Sequence, residues 1–415
     1  MKVFKFGGAS VKDAEGVINL TQILKQFSED DTVVVVSAMG KMTNAFEAVV
    51  HNYLYNPTDL NASIGFIEDY HTSIISELFL DISHPVFKIV ESLFNDLKLL
   101  IKTNTATDYN FVYDQIIGFG ELLSTTIVSQ FLNYSGLKNT WLDVREYIKT
   151  DSNYRRANVD WLTTETLITP LKHNPSLYIT QGFLASNSNC TTTLGREGSD
   201  YTAAIFAYAL DAESVTIWKD VSGVLNADPR YFEETQLLEQ LSYREAIELA
   251  FYGASVIHPK TLQPLQQKGI TLFVKSFINP VAKGTRISAE QIMVPQTPCF
   301  IVKKNQILIH ISSLDFSYIV EENISEIFNI LHLSKMKVNL IQNSAISFSI
   351  CVEDIFGNLN SILEQFQAEY KISYIPNVSL YTVRHYTDEA IHLIEKSKHI
   401  LVQQRTQDTL QIVTK

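Results

Sequence analysis

Short apolar runs alternate with helical patterns through the first two thirds of the chain. Residues 1–6 read as a buried strand, with Val3, Phe4 and Phe6 apolar and Lys5 near its end. Residues 32–37 hold four consecutive valines, the pattern of a parallel strand buried on both faces. Further strands are predicted at 140–144, 177–180, 214–218 and 271–276, and a helix at 243–251 capped by Ser242. Strand–helix alternation of this kind predicts an α/β fold, a three-layer sandwich around a mainly parallel sheet. Residues 44–135 break the rhythm. Apolar positions at i, i+3 and i+4 through 64–80 and 87–101 predict a helical excursion, either the wall or lid of a pocket or simply a packing layer.

A boundary is predicted at 280–298, where Pro280, Gly284, Pro295 and Pro298 punctuate a polar stretch. Beyond it the pattern gives strands at 307–311, 337–341 and 347–352 and a helix at 325–333. Strand, helix and strand then repeat at 378–384, 389–396 and 399–403, and a last strand ends the series at 409–413.

Composition narrows the class. The chain has 415 residues, 46% hydrophobic and 19% charged, enough for two or three domains with their own cores. Its 33 basic against 45 acidic residues give a formal charge of −12, which argues against nucleic acid as a partner. Cys190, Cys299 and Cys351 lie far apart with no C-x-x-C, which speaks against a disulfide framework or a zinc site and suits a reducing compartment. Residues 1–6 are too short an apolar stretch for a signal peptide, and no run reaches a bilayer span. A cytoplasmic protein without membrane contact is the expectation.

The first block with chemistry is Lys5-Phe6-Gly7-Gly8-Ala9-Ser10. Two glycines let the backbone turn tightly and approach a ligand, and Ser10 is placed to cap a helix over 11–20. A helix start beside a lysine makes an anion cradle, although the chain has no G-x-x-x-x-G-K-[ST] loop. Three more blocks follow: Gly118-Phe119-Gly120-Glu121-Leu122-Leu123-Ser124-Thr125, Thr192-Thr193-Leu194-Gly195-Arg196-Glu197-Gly198-Ser199-Asp200-Tyr201-Thr202, and Trp218-Lys219-Asp220-Val221-Ser222-Gly223-Val224-Leu225 leading to Ala227-Asp228-Pro229-Arg230. In wording, order and spacing these four blocks resemble an aspartokinase over about residues 1–290, and more loosely to the C-terminus.

That resemblance implies a catalytic domain of the amino-acid kinase fold at 1–285. It implies α+β, ferredoxin-like ACT domains at 299–370 and 371–415, the second short and completed by a strand at about 300–303. The implied reaction moves the γ-phosphoryl group of ATP, with Mg²⁺, to the β-carboxylate of L-aspartate, giving 4-phospho-L-aspartate. This is the first step of the aspartate-family (lysine, threonine, methionine) pathway. An ionised carboxylate is already a nucleophile, so such a site needs positioning and charge neutralisation, not a general base.

Residue by residue, Lys5 matches the family's catalytic lysine, and Asp200 the residue that orients it or touches substrate; Asp200 also reads as a simple helix cap. Gly7, Gly8 and Ser10 would hold phosphate, with Ala9 where the family usually has threonine. Arg196 matches the arginine that grips the α-carboxylate in two parallel hydrogen bonds. Glu121 would hold the substrate ammonium, or serve only as a carboxylate favoured at a helix start. Ser37 and Thr43 match substrate-side hydroxyls, and Phe183 would wall the pocket. Lys219, Asp220 and Arg230 match the nucleotide side, Arg230 being aimed by the Asp228-Pro229 turn. No metal-ligating set is picked out.

Three positions depart from the family pattern. Leu225 stands for a tyrosine near the adenine, Ser255 for an ATP-contacting lysine, and Glu197 for a glycine in the arginine loop. Lys260 or Lys275 would have to compensate at the second, and His258 reads as a structural turn residue. At the effector region, residues 315–324 lack the usual loop glycine, and Asn339 stands where lysine-sensitive relatives carry aspartate. Asn343 and Ser344 remain as polar contacts. Weak or absent lysine inhibition is expected, with threonine or no effector as alternatives, in a homodimer built through the ACT region. The departures also leave open a catalytically weak regulatory subunit that partners another aspartokinase.

Overall fold

The computed structural model describes residues 1–28, 31–254, 257–289, 292–396 and 398–415. They form two compact units, one of residues 1–224, 237–247 and 256–294, the other of 225–236, 248–255 and 295–415.

The first unit is built on an eight-stranded sheet. Its order is Thr140–Leu142, Tyr178–Gln181, Thr32–Val36, Lys2–Phe6, Ser214–Lys219, Thr271–Ser276, Thr285–Ser288 and Gln240–Ser242. Every pairing is parallel except that of Thr285–Ser288 with Thr271–Ser276. Lys2–Phe6 lies in the middle, with Phe6 in register with Val36 on one side and Trp218 on the other. All five residues of Thr32–Val36 are buried, as a strand covered on both faces requires. The Trp218 ring stacks on Phe6 at 6.0 Å and meets Phe4 edge-on, filling one face of the sheet. The helical excursion folds as Met42–Tyr55, Leu60–Leu78, Pro85–Thr103, Tyr109–Ile117 and Phe119–Tyr134, all packed into the same core.

Local differences from the sequence expectation have identifiable causes. Ser10 does not cap a helix at 11. Gly8–Val11 forms one 3₁₀ turn, and the α-helix runs Ala14–Phe27 with the Asp13 carboxylate accepting from the Gly16 N–H at 2.8 Å. A Cβ on Gly16 would lie 2.7 Å from the Ser10 carbonyl oxygen, so this glycine lets the turn fold onto the helix. The strand expected over 140–144 stops at Leu142 because Asp143 caps the short helix Val144–Tyr147. The antiparallel pair Leu184–Asn187 and Cys190–Thr193 is too short and polar to register as strands in the sequence.

The second unit carries a six-stranded sheet ordered Lys337–Asn343, Ser347–Glu353, Cys299–Ser313, Tyr370–Arg384, Thr409–Thr414 and Ile400–Arg405, antiparallel throughout. Helices Glu321–Leu333, Leu359–Gln367 and Asp388–Glu395 complete it. The strands read separately at 307–311 and 378–384 are segments of two 15-residue strands that pair along their lengths, with irregular register between Lys303 and Leu308. Polar residues such as Lys303, Lys304 and Asn305 interrupt the apolar pattern without ending the backbone ladder.

Candidate active site

In a parallel α/β sheet, ligands sit beyond the carboxyl ends of the strands. Four such ends are followed here by Gly7, Ser37, Gly182 and Asp220. Lys5 sits one residue from the end of the central strand and is only 8% exposed. Asp200, in the first turn of Gly198–Leu210, is 2% exposed and lies between two ammonium groups. Lys5 Nζ is 2.6 Å from its Oδ1, and Lys219 Nζ is 3.5 Å from its Oδ2. Burial pushes the Asp200 carboxyl upward, but the charges of Lys5 and Lys219 outweigh it and hold the group below the usual carboxylate range. Two lysines against one carboxylate leave a positive excess. Beside this trio the turn after Lys5 carries Ser10, whose buried Oγ has no hydrogen-bond partner.

Gly7 and Gly8 divide the work of that turn. A Cβ on Gly8 would lie 2.6 Å from the Ala38 carbonyl oxygen and 2.7 Å from that of Gly40, and the Gly40 N–H donates to the Gly8 carbonyl at 2.9 Å. The space the glycine leaves is filled by the protein's own backbone. A Cβ on Gly7 would meet only Lys5 Nζ, at 3.4 Å.

The 38–40 turn links this cradle to Glu121. The Ala38 N–H reaches Glu121 Oε1 at a long 3.4 Å, while the buried Oε2 has no partner. Glu121 is 3% exposed, and burial pushes its carboxyl up to about 8. Glu121 lies in the first turn of Phe119–Tyr134, as a carboxylate favoured at a helix start does, but it is buried there. Ser37 donates its N–H to the Phe6 carbonyl and accepts at its own carbonyl from Ser124 Oγ at 2.7 Å. Thr43 is half-buried in the first turn of Met42–Tyr55.

Phe183 packs against the start of Gly198–Leu210, which Arg196 precedes by two positions. Phe183 has φ +69°, donates its N–H to Thr202 Oγ1 at 2.9 Å and accepts from the Leu194 N–H at 2.9 Å. A Cβ on Gly198 would touch the Phe183 ring at 2.6 Å, so the glycine admits the aromatic. Arg196 is exposed between Gly195 at φ +81° and Glu197 at φ +54°. The left-handed backbone at 197 gives a physical reason for a glycine there; this chain carries glutamate, with a buried, unpartnered Oε2. Beneath the loop lies Asp114, which sequence reasoning missed. It is the one acid of Tyr109–Ile117, fully buried, with burial pushing it up to about 6.

The remaining predicted residues scatter. Asp220 is exposed after its strand. Leu225 and Arg230 lie in the 225–236 segment of the second unit, and the Arg230 fork closes on Asp228, with Nη2–Oδ2 at 2.6 Å. Ser255 lies outside the described residues. Lys260 and Lys275 place their ammonium groups 5.6 Å from the rings of Tyr201 and Phe27. His258 Nδ1 accepts from the Lys260 N–H at the start of Pro259–Lys268, a structural cap. In the second unit, Asn339 accepts from Lys303 Nζ at 2.8 Å and donates to Gln306 at 2.7 Å, whereas Asn343 and Ser344 are exposed.

A buried lysine and an unfilled polar turn at the carboxyl edge of a parallel sheet form the layout of a nucleotide-using phosphotransferase, and residues 1–276 match the model of the amino acid kinase family. The chain is 31% identical to the lysine-sensitive aspartokinase 3 of Escherichia coli (strain K12), over 85% of this chain and 78% of that protein. It is 28% identical to the chloroplastic aspartokinase 1 of Arabidopsis thaliana, over 96% and 73%. Its structure is similar to that of E. coli aspartokinase III in complex with lysine and aspartate, with a TM-score of 0.82 at 28% identity, covering 100% of this chain and 95% of that one. The structure of the same enzyme with aspartate and ADP gives 0.81 at 27% identity, covering 100% and 96%. The chain belongs to the amino acid kinase family, as one of its aspartokinases. The parallel sheet is thus the amino-acid kinase fold, and the antiparallel sheet its ACT region. Among the described residues no helix is long and apolar enough to cross a membrane.

Proposed function

We propose that this chain transfers the γ-phosphoryl group of ATP to the β-carboxylate of L-aspartate, giving 4-phospho-L-aspartate and ADP, the first step of aspartate-family amino-acid biosynthesis. One observation carries the reading. A cationic trio, buried Lys5 and Asp200 with half-buried Lys219, and a buried carboxylate with an oxygen unmet among the described residues, Glu121, are linked in one unit through the 38–40 turn. The E. coli relative crystallised with aspartate and ADP supports the same ligand pair.

In this reading Lys5 and Lys219 face the phosphates, and Asp200 sets the direction of both ammonium groups. Ser10 Oγ and the Gly7 backbone complete the cradle. Mg²⁺ carried on the phosphates would offset their charge. Asp220 serves the nucleotide from the exposed side, and Arg230, as a sequence match to the nucleotide side, is available only after leaving Asp228. Glu121 takes the substrate ammonium, Arg196 the α-carboxylate, and Ser37, Thr43 and Phe183 shape the pocket. A β-carboxylate oxygen attacks the γ-phosphorus, the bond to the β,γ-bridging oxygen breaks, and no proton moves. The test is ADP release with Mg²⁺-ATP and L-aspartate, with hydroxylamine trapping the acyl phosphate. Turnover that needs aspartate and vanishes in Lys5→Ala is expected; equal turnover without aspartate would sink the reading.

Domains at 1–285, 299–370 and 371–415, and a homodimer through the ACT region, belong to the same proposal. Leu314, Phe316 and Tyr318 stand exposed on the first ACT segment, as a self-association face requires. Asn339 is already engaged by Lys303 and Gln306 and offers no carboxylate to a lysine ammonium, so lysine inhibition is weak or absent, with threonine or no effector instead. Titrating lysine and threonine into the assay decides this; potent lysine inhibition is the outcome that overturns it. A catalytically weak regulatory subunit is not favoured, since the trio and Glu121 are both in place.

A further inference from the structure

Asp114 lies in Tyr109–Ile117, a helix none of whose side chains is assigned to either ligand. Yet its carboxylate is spent entirely on two chain segments that flank the arginine loop. Thr193 donates to it twice, through its N–H at 2.9 Å and its Oγ1 at 2.8 Å. The Arg155 N–H donates to both oxygens, at 3.2 and 3.0 Å. Thr193 is the last residue of Cys190–Thr193, and Arg196 follows three positions later.

Three further contacts show that this is an anchor for the loop. The neighbouring helix residue Gln115 clamps Thr191 at both backbone groups, donating at 2.8 Å and accepting at 3.1 Å. The Ala157 N–H donates to the Thr193 carbonyl at 3.0 Å, tying the 155–157 turn to the same strand end. A Cβ on Gly195 would lie only 3.1 Å from the Arg155 carbonyl oxygen, so the loop rests directly on the turn that Asp114 holds. Arg155 itself has φ +67°, costly for a side-chain-bearing residue. Its guanidinium lies 4.4 Å from the Tyr113 ring centre and 5.4 Å from that of Tyr109, so the same helix also steadies its side chain.

We infer that Asp114 is a positioning residue for substrate recognition: by fixing Thr193 and Arg155 it sets where the exposed Arg196 guanidinium meets the substrate's α-carboxylate. The inference rests on the aspartate-kinase reading. A forked guanidinium grips a carboxylate only in a narrow geometry, so a loop freed at its root loses aspartate without losing the phosphate cradle. Asp114→Asn keeps the shape but replaces one accepting oxygen with an N–H₂ that cannot accept from the Arg155 N–H that faces either position. Thr193→Val removes only the hydroxyl donor and serves where the asparagine variant folds poorly.

For Asp114→Asn the aspartate KM should rise by about tenfold, with kcat within about twofold and the ATP KM unmoved. Thr193→Val should shift the aspartate KM in the same direction by a smaller factor. Hydrogen exchange should quicken at the Thr193 and Arg155 amides of the asparagine variant. A fall in kcat at constant KM, or an unmoved aspartate KM in both variants, overturns the positioning role. A wild type without aspartate-dependent turnover overturns the kinase reading and this role together, so the two failures are told apart by the wild type alone.

Discussion

Glu121 and Asp200 are both buried carboxylates, and their surroundings drive them in opposite directions. Among the described residues no cation faces Glu121, and burial raises it to about 8, which favours the neutral acid at pH 7 in the substrate-free protein. An ammonium is bound far more strongly by the ionised form. Aspartate binding is therefore expected to release a proton near pH 7 and to tighten as pH rises through about 8. Calorimetry in buffers of different ionisation enthalpy reads this directly, and Glu121→Gln should bind aspartate weakly with no proton release. The stability sign follows from the same shift. The folded value lies above the ordinary 4.5, so between 4.5 and about 8 the native state holds a proton that the unfolded chain has lost. The contribution of Glu121 to stability thus falls as pH rises across that window, and saturating aspartate should restore it.

Asp200 is held low because two lysines share it, and its removal leaves like charges facing each other in a dry site. Asp200→Asn should cost roughly 3 kcal/mol, the penalty for breaking a buried pair. Phosphates can replace the lost charge, so Mg²⁺-ATP should raise the melting temperature of the variant more than that of the wild type. Equal nucleotide-induced shifts would show that the two lysines do not face the phosphates.

At the scale of elements, turns decide what the site can hold. Gly8 is required by the carbonyls of Ala38 and Gly40, and neither neighbour is a flexible side chain that can move aside. Gly8→Ala is expected to destabilise by about 2 kcal/mol and to weaken both ligands, because the same turn carries the N–H that faces Glu121. Glu197→Gly should do the reverse. It relieves a left-handed residue and removes a buried, unpartnered carboxylate oxygen, for a gain of about 1 kcal/mol in denaturant unfolding.

Loops of this kind also mark where the sequence stops being legible. The central strands and the helical excursion announce themselves by valine runs and by 3.6-residue spacing. Lys5, Asp200 and Glu121 stand out because charge sits inside apolar or glycine-rich blocks. Ser10 misleads as a cap, because the choice between a 3₁₀ turn and an α-helix start depends on Gly16 packing six residues away. Asp114 is silent, since its four hydrogen bonds come from Arg155 and Thr193, segments 41 and 79 positions distant. Long-range partners of one buried acid leave no local pattern.

At the scale of the whole molecule, a formal charge of −12 surrounds a cradle with a local positive excess. The acidic surface repels polyanions at a distance, while buried Lys5 acts only on a ligand small enough to enter. The chain-wide alternation of strands and helices made the first unit readable, and the repeated strand–helix–strand theme did so for the second. The return of residues 225–236 to the second unit was not readable, because nothing in Leu225 or Arg230 distinguishes a residue beside its own motif from one packed elsewhere.

The pairing of Cys299–Ser313 with Tyr370–Arg384 runs almost unbroken from Cys299↔Arg384 to Ser313↔Tyr370. Cys299–Ser313 also pairs with Ser347–Glu353, and Tyr370–Arg384 also pairs with Thr409–Thr414, so a cut between the two long strands leaves unpaired backbone on both halves. The two sequence repeats therefore behave as one cooperative block: amide protection on the Ser347–Glu353 side and on the Thr409–Thr414 side should be lost together, in a single sub-global opening. Truncation after the first repeat would strip the partner from a 15-residue strand and expose an edge prone to pairing with other chains.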